Sequence, residues 1–186
     1  DIESELAYCG IKDALVFHYL ARDYDPKTGN ARLLEEIRGH ARFHAGWIAL
    51  PDYTQEIPPV EEMLAKGYKA ARVYPKAAIH GFSLQHWCAG TLLDALEAYR
   101  VPLFLDLDQT DWEEVYGLCT QHPDLPVVIT NVGYRINRYL YPLFAQCAHL
   151  HVEVSGYQGH CAIEEVCSRY GAQHLLYGSR LPLFSP

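Results

Sequence analysis

Two aspartates spaced like a catalytic pair follow one of the apolar segments of this sequence. Asp106 and Asp108 come directly after Leu103-Phe104-Leu105, and because they are two residues apart, an extended strand would point both side chains to the same face. Neighbouring carboxylates at a strand end are suited to take a proton from water or substrate. We therefore predict Asp106 as a general base and Asp108 as a substrate-binding residue. The alternative is that both only bond backbone amides of residues 109–111.

Basic side chains accompany a second apolar segment, residues 70–74. Lys76 is predicted as a catalytic anion clamp and His80 as a proton carrier at the substrate, since histidine titrates near neutral pH. A solvated loop lysine is the alternative for Lys76. Arg72 lies inside the segment, where a buried guanidinium needs an acidic partner. Glu153 is similarly placed in a later segment, so we expect an Arg72–Glu153 contact, structural or catalytic.

The remaining candidates also follow apolar segments, where they could line a substrate pocket. They are His18, Asn131, Tyr134, Arg135, Tyr157 and His160. Tyr134 and Arg135, together with Arg138, form a cluster of hydrogen-bond donors that suits anionic or phenolic ligands. The same cluster could equally cap the following helix or contact another subunit.

Seven short apolar, β-branched or aromatic segments are predicted to be the strands that position these residues. They span residues 14–18, 43–50, 70–74, 101–107, 126–131, 150–154 and 174–178. Segments with helical spacing lie between them, which is typical of βαβ units. We therefore expect a parallel sheet.

Repeated strand–helix units close either as an open doubly wound sheet or as an eight-stranded barrel. No strand is followed by a Gly-x-Gly-x-x-Gly turn, and polar residues gather at the carboxyl ends of nearly all strands, where barrels build their sites. We predict an α/β fold of the TIM (β/α)8 type, as a single domain over residues 1–186. The count of seven strands, with no helix after the last, indicates a barrel without its first strand and last helix.

Composition and charge narrow the class of protein. The 186 residues are 49% hydrophobic and 20% charged, as in a soluble globular domain, and the net charge of −8 argues against a nucleic-acid partner. No apolar run approaches the roughly 20 residues of a membrane span, and the first residues lack a signal-peptide pattern. The six cysteines include no Cys-x-x-Cys pair and are expected as buried thiols. We predict a cytoplasmic protein that binds a small molecule and neither nucleic acid nor membrane.

Five blocks of this sequence, in order, carry a resemblance to a known family. They are residues 9–16 (CGIKDALV), 67–75 (GYKAARVYP), 81–84 (GFSL), 131–133 (NVG) and 177–182 (YGSRLP). With these blocks the chain resembles the amidohydrolase superfamily, specifically the amidohydrolase 2 group of barrel-shaped, metal-dependent hydrolases and decarboxylases. The resemblance implies a divalent metal, usually zinc, that activates water or polarises a carbonyl at the barrel mouth. A homo-oligomer is likewise implied by the resemblance alone.

The positions that carry metal ligands in the family differ in this chain. The family's first strand, which carries its His-x-His pair, is not among the strands of this sequence and the pair is left unassigned. Asp106 stands in place of the fifth-strand histidine, and Asn131 in place of the sixth-strand histidine. Arg180 stands where the family has an aspartate, and a guanidinium has no lone pair for a metal. We therefore assign no metal ligand and predict Arg180 as a catalytic cation that pairs with Asp106 and stabilises an anion.

Three functions remain open at this point. The first is an amidohydrolase-family hydrolase or related decarboxylase that acts on a small organic acid, cyclic ester or amide without the usual metal. The second is a metal-dependent hydrolase with a rearranged site that recruits Asp106, His18 or His80. The third is a barrel that binds a ligand without catalysis.

Overall fold

The computed structural model describes residues 2–179 of the chain. Seven strands alternate with helices: β1 Ala14–Val16, β2 Phe43–Ile48, β3 Ala70–Val73, β4 Leu103–Asp106, β5 Val127–Thr130, β6 Leu150–Glu153 and β7 Leu175–Leu176. The helices are α1 Ile2–Tyr8, α2 Tyr19–Asp23, α3 Pro26–Glu36, α4 Val60–Ala65, α5 His86–Ala98, α6 Trp112–Gln121, α7 Asn137–Phe144 and α8 Ala162–Arg169. Each of the seven predicted strands is confirmed.

The strands form one parallel sheet in sequence order, β1 to β7. This is the order of a TIM barrel, which has eight strands. Within residues 2–179 the sheet has seven, and no backbone pairing joins β1 to β7. The prediction of an incomplete TIM barrel is therefore confirmed, whereas the expected absence of a last helix concerns residues beyond 179, outside the described range.

The two faces of the sheet differ in composition because side chains alternate along each strand. The outward side chains, such as Leu103 and Leu105 of β4, are fully buried against the helices in one large apolar core. The inward face carries a smaller apolar cluster of Ile48, Tyr74 and Phe17. Next to this cluster the inward face also carries charged side chains, which form the candidate site.

Helix α6 begins one residue later than the sequence pattern indicates. Thr110 and Glu113 fit a capping box, but the side chain that caps the helix is Asp111, which accepts a hydrogen bond of 2.9 Å from the Glu114 amide. Thr110 instead donates to the Glu114 carboxylate at 2.7 Å.

In residues 2–179 no helix is both long and apolar enough to cross a membrane.

The cysteines are only partly as expected. Cys119 and Cys147 are buried in the apolar core, as predicted, whereas Cys161 and Cys167 are exposed on or beside α8. The helical spacing around Cys161 and Cys167 does not place them on the buried face, which Ala162 and Val166 occupy instead. The prediction of buried thiols is therefore wrong for Cys161 and Cys167, and also for Cys9, which is exposed.

Candidate active site

A charged cluster joins three neighbouring strands on the inner face of the barrel. Arg72 of β3 donates to the Asp106 carboxylate at the end of β4, and Thr130 at the end of β5 donates to the same oxygen, Oδ1. The Arg72 guanidinium also donates to the Thr130 hydroxyl at 3.2 Å. Asp106 and Thr130 are register partners in the sheet. The parallel pairing of β3, β4 and β5 therefore assembles the cluster from residues up to 58 positions apart.

One N–H group of Arg72 is buried and makes no hydrogen bond to the described residues. This group is the Nε–H, and an unsatisfied buried donor is costly. Phe17 and Tyr74 enclose the guanidinium, with each ring centre 5.4 Å from its central carbon. Burial raises the pKa of Tyr74 to about 12, so this ring is a neutral wall at physiological pH.

Glu153 does not contact Arg72, contrary to the sequence-based expectation. Its two oxygens accept from the Ser155 amide at 2.5 Å and the Ser155 hydroxyl at 2.8 Å. The Arg72 guanidinium reaches Asp106 because β3 and β4 are neighbours, whereas β6 lies two strands beyond β4. Gly178 lies against Glu153, and a Cβ there would come within 2.4 Å of its carboxylate.

A cavity of about 1130 Å³ opens beside β1 and leads to this inner face. Its lining is apolar near Val16, Phe17 and Phe104 and polar where Arg72, Thr130 and Glu153 reach it. The segment 176–179, which includes the end of β7, forms another part of the wall. The cavity therefore lies between the two edge strands of the sheet and brings solvent-accessible space to the Arg72 cluster.

Asp108 and Asn131 meet at the carboxyl end of the sheet, but outside the charged cluster. The Asn131 amide donates to Asp108 Oδ2 at 3.2 Å, and Gln109 donates to Oδ1 at 3.4 Å. Asp108 is exposed, because the chain turns into a short 3-10 helix over Leu107–Gln109 directly after β4. The two predicted residues are thus neighbours of each other and not of the Arg72 guanidinium.

Two of the three predicted histidines at the mouth, His18 and His80, contact backbone atoms. His18 caps α2 by accepting from the Leu20 amide at 3.2 Å, and its other ring nitrogen lies 3.2 Å from the Glu36 carboxylate. His18 also lines the large cavity. His80 contacts the Arg22 carbonyl at 3.0 Å through Nε2, while its buried Nδ1 has no partner among the described residues. Burial lowers the pKa of His80.

The remaining predicted residues of the mouth are less enclosed. The side chains of Lys76 and His160 are exposed, and the Lys76 backbone amide donates to Gln109 at 3.3 Å. Arg180, predicted as the partner of Asp106, lies outside the described residues. Within these residues the cation that pairs with Asp106 is Arg72.

A second, smaller pocket of about 390 Å³ lies between the loops after β5 and β6. Its lining is formed by Tyr134, Arg135, Asn137, Arg138, Gln158 and Gly159. A backbone bridge between Tyr134 and Gln158 joins the two loops. The alternative that this cluster caps α7 is wrong, because no side chain makes a capping hydrogen bond at the start of that helix.

Tyr157 supports this smaller pocket from behind and does not line it. The buried Tyr157 hydroxyl donates to the Asn137 side chain at 2.8 Å, and the Asn137 amide donates to Tyr141 at 2.8 Å. Tyr141 in turn donates to Glu165 at 2.7 Å. Tyr157 therefore holds a pocket residue in place, a role that its position after a strand could not distinguish from ligand contact.

The metal implied by the family resemblance does not fit the described residues. No group of three His, Cys, Asp or Glu side chains within residues 2–179 is arranged to hold a metal ion. The Asp106 Oδ1 atom is occupied by two donors, and one of them is a guanidinium, which would repel a cation at the same place.

Thr130 is the residue of the cluster that sequence reasoning missed. It ends a fully buried strand and carries only a hydroxyl, so its spacing resembles that of a core residue. The detectable signal was its position directly before Asn131, at the carboxyl end of β5. Arg72 was noted as needing an acidic partner but was not placed in the site.

Solved structures with this fold include proteins of the amidohydrolase type. No protein-family model and no curated protein sequence matches the chain. An uncharacterized TIM-barrel protein from Bordetella bronchiseptica aligns with a TM-score of 0.74 and 15% identity, over 99% of this chain and 70% of its own. Amidohydrolase 2 from Bifidobacterium longum subsp. infantis aligns with a TM-score of 0.70 and 18% identity, over 98% of this chain and 71% of its own. The 2,6-dihydroxybenzoate decarboxylase from Rhizobium aligns with a TM-score of 0.67 and 16% identity, over 98% of this chain and 77% of its own. These similarities confirm the resemblance at the level of fold.

Proposed function

Since the chain has the fold of amidohydrolase-type TIM barrels, we propose that it is a hydrolase that opens a small cyclic ester or amide at the barrel mouth. The observation that carries this proposal is the Arg72 guanidinium, which lines the large cavity and is paired with the Asp106 carboxylate. A fixed donor next to a carboxylate supplies the two groups that hydrolysis of a carbonyl compound needs, an oxyanion stabiliser and a general base.

The charge of the inner face favours a neutral substrate over an organic acid. The ionisable inward side chains near the ends of β3, β4 and β6 are Arg72, Asp106 and Glu153, two acids against one base. A carboxylate substrate would be repelled by Glu153, whose oxygens contact only neutral donors of Ser155 among the described residues. A cyclic ester or amide is neutral, so Glu153 does not repel it.

The proposed reaction uses the second oxygen of Asp106. Oδ1 is held by Arg72 and Thr130, which leaves Oδ2 without a partner in the described part of the chain. Asp106 Oδ2 takes a proton from water as the water oxygen bonds to the substrate carbonyl carbon. The carbonyl electron pair moves onto oxygen, where the Arg72 guanidinium stabilises the charge. The ring C–O or C–N bond then breaks, and the leaving atom takes the proton from Asp106.

A decarboxylase is the second candidate, since one structural neighbour is a 2,6-dihydroxybenzoate decarboxylase. In that reading Lys76 and Arg180 act as the anion clamp. The negative charge of the inner face argues against decarboxylation. Asp106 and Glu153 already carry two negative charges there, and the substrate carboxylate would add a third.

The two candidates are separated by what the purified protein releases. Lactones and cyclic imides are assayed by pH-stat for proton release, and dihydroxybenzoates are assayed for carbon dioxide. We expect ring opening, and Asp106→Asn to lower kcat by about 10²-fold or more. Asp124→Asn is the control, because this exposed carboxylate pairs with Arg100 near the amino end of β5. Carbon dioxide release without ring opening, or an unchanged kcat in Asp106→Asn, contradicts the proposal.

A further inference from the structure

We propose that Arg135 and Arg138 form a binding site for a doubly charged oxyanion, such as a phosphate monoester, in the smaller pocket beside the barrel mouth. This pocket shares no lining residue with the cavity that leads to Arg72. The inference therefore goes beyond the proposed hydrolysis, and its test does not depend on turnover.

The pocket concentrates positive charge on an acidic protein. Two of its six lining residues are arginines and none is Asp or Glu, whereas the whole chain carries a net charge of −8. Within residues 2–179 neither Arg135 nor Arg138 forms an ion pair with a carboxylate, unlike Arg22, Arg32, Arg72, Arg100 and Arg169. Two like charges side by side without a counter-ion repel each other, and an anion between them removes this cost.

Contacts position Arg135 and Asn137 in the pocket before any ligand binds, and the side chains of both arginines are exposed to solvent. The Arg135 guanidinium lies over the Tyr134 ring, 5.1 Å from its centre. Asn137 cannot swing into the space, because its amide group is hydrogen-bonded to both Tyr141 and Tyr157. Such preorganisation lowers the entropic cost of binding a small ligand.

The chemistry of the arginines indicates the class of anion. A guanidinium is a planar fork of donors that pairs with two oxygens of a carboxylate or phosphate. A monocarboxylate has two oxygens and can pair with one guanidinium. A phosphoryl group has three oxygens and two negative charges, so it can pair with the guanidinium groups of both arginines. We therefore expect phosphate to bind more tightly than acetate or chloride.

The test is isothermal titration with inorganic phosphate, phenyl phosphate and acetate at constant ionic strength. We expect phosphate and its ester to bind and acetate to bind at least about tenfold more weakly. Arg138→Gln is expected to weaken phosphate by about tenfold or more, since it removes charge-assisted hydrogen bonds. Arg135→Asn should do the same, and Asn is chosen because Arg135 has a φ of 63°, which Asn tolerates.

Two controls separate a built site from general attraction to positive charge. Arg42→Gln removes the same charge from an exposed residue before β2, at the opposite end of the sheet, and should leave phosphate affinity unchanged. Arg138→Lys keeps the charge but loses the fork, and an intermediate affinity is expected. Equal losses in Arg138→Gln and Arg42→Gln, or no preference for phosphate over acetate in the unmodified protein, overturn the proposal. Urea unfolding of each variant verifies that it is folded.

Discussion

Arg72 on β3 and Asp106 on β4 form an ion pair inside the barrel, 34 residues apart in sequence and on adjacent strands. The pair is largely enclosed, since 21% of the Arg72 side chain and 13% of the Asp106 side chain are exposed. Thr130 binds both partners. The pair is therefore both the proposed reactive centre and a structural link between three strands.

Removing one member of this pair should destabilise the fold more than removing both. Arg72→Met leaves the Asp106 carboxylate buried without a cation, and we expect the free energy of unfolding to fall by about 3 kcal/mol. The double variant Arg72→Met with Asp106→Leu is expected to recover most of this loss, because no charge stays buried. Urea unfolding measures each variant. A double variant as unstable as the sum of its two single variants would show that the pair is not coupled.

Two helical glycines should respond to alanine with opposite signs. Gly29 in α3 packs against α2, and a Cβ there would lie 2.1 Å from the Ala21 backbone nitrogen. We expect Gly29→Ala to cost about 2 kcal/mol or more, because backbone cannot move aside. Gly117 in α6 has only the end of Gln121 nearby, at 3.8 Å, so Gly117→Ala should stabilise by up to about 1 kcal/mol. Thermal unfolding compares them, and a stable Gly29→Ala would contradict the close packing of α2 on α3.

The half-buried His80 should weaken the fold at acidic pH. Burial lowers its pKa, whereas an unfolded histidine titrates near 6.5. As the pH falls below about 6.5, the unfolded chain takes up a proton that folded His80 does not, so stability is lost between that pH and the lower folded pKa. His80→Gln keeps a donor for the Arg22 carbonyl but does not titrate.

The measurement for His80 is urea unfolding at neutral pH and at about pH 5. The unmodified protein should lose more stability between the two conditions than His80→Gln. Some loss should persist in the variant, because burial also lowers the pKa of His151. An identical loss in both proteins would mean that His80 does not contribute to acid sensitivity.

A metal should not be needed for the stability of this chain. Asp106 is held by Arg72 and Thr130, and the described residues provide no three-ligand group. Protein of residues 1–186 prepared without chelator should contain less than about a tenth of an equivalent of zinc, and a chelator should leave its Tm unchanged, as expected where metal binding is not coupled to folding. Elemental analysis and thermal unfolding test this. Stoichiometric zinc, lost together with Tm on chelation, would contradict it.

The sequence alone determined the repeating architecture. Each of the seven strands is a short apolar or β-branched run, and strand formation depends on such local patterns together with the turns that bound them. The polar residues at the strand ends also led us to predict a site at the carboxyl edge of the sheet.

Only the tertiary structure decided which polar residues meet. Arg72 could have reached Glu153 or Asp106, and the choice follows from strand order, which places β4 next to β3 and β6 farther away. Tyr157 follows a strand just as pocket residues do, yet its hydroxyl holds Asn137 in place. His18 lines the large cavity and also caps α2. Thr130 differs in the sequence from a core residue only by its hydroxyl and its place at the end of an apolar run. Contacts between distant segments depend on register and on side-chain packing across the sheet, and neither is encoded in the spacing along one strand.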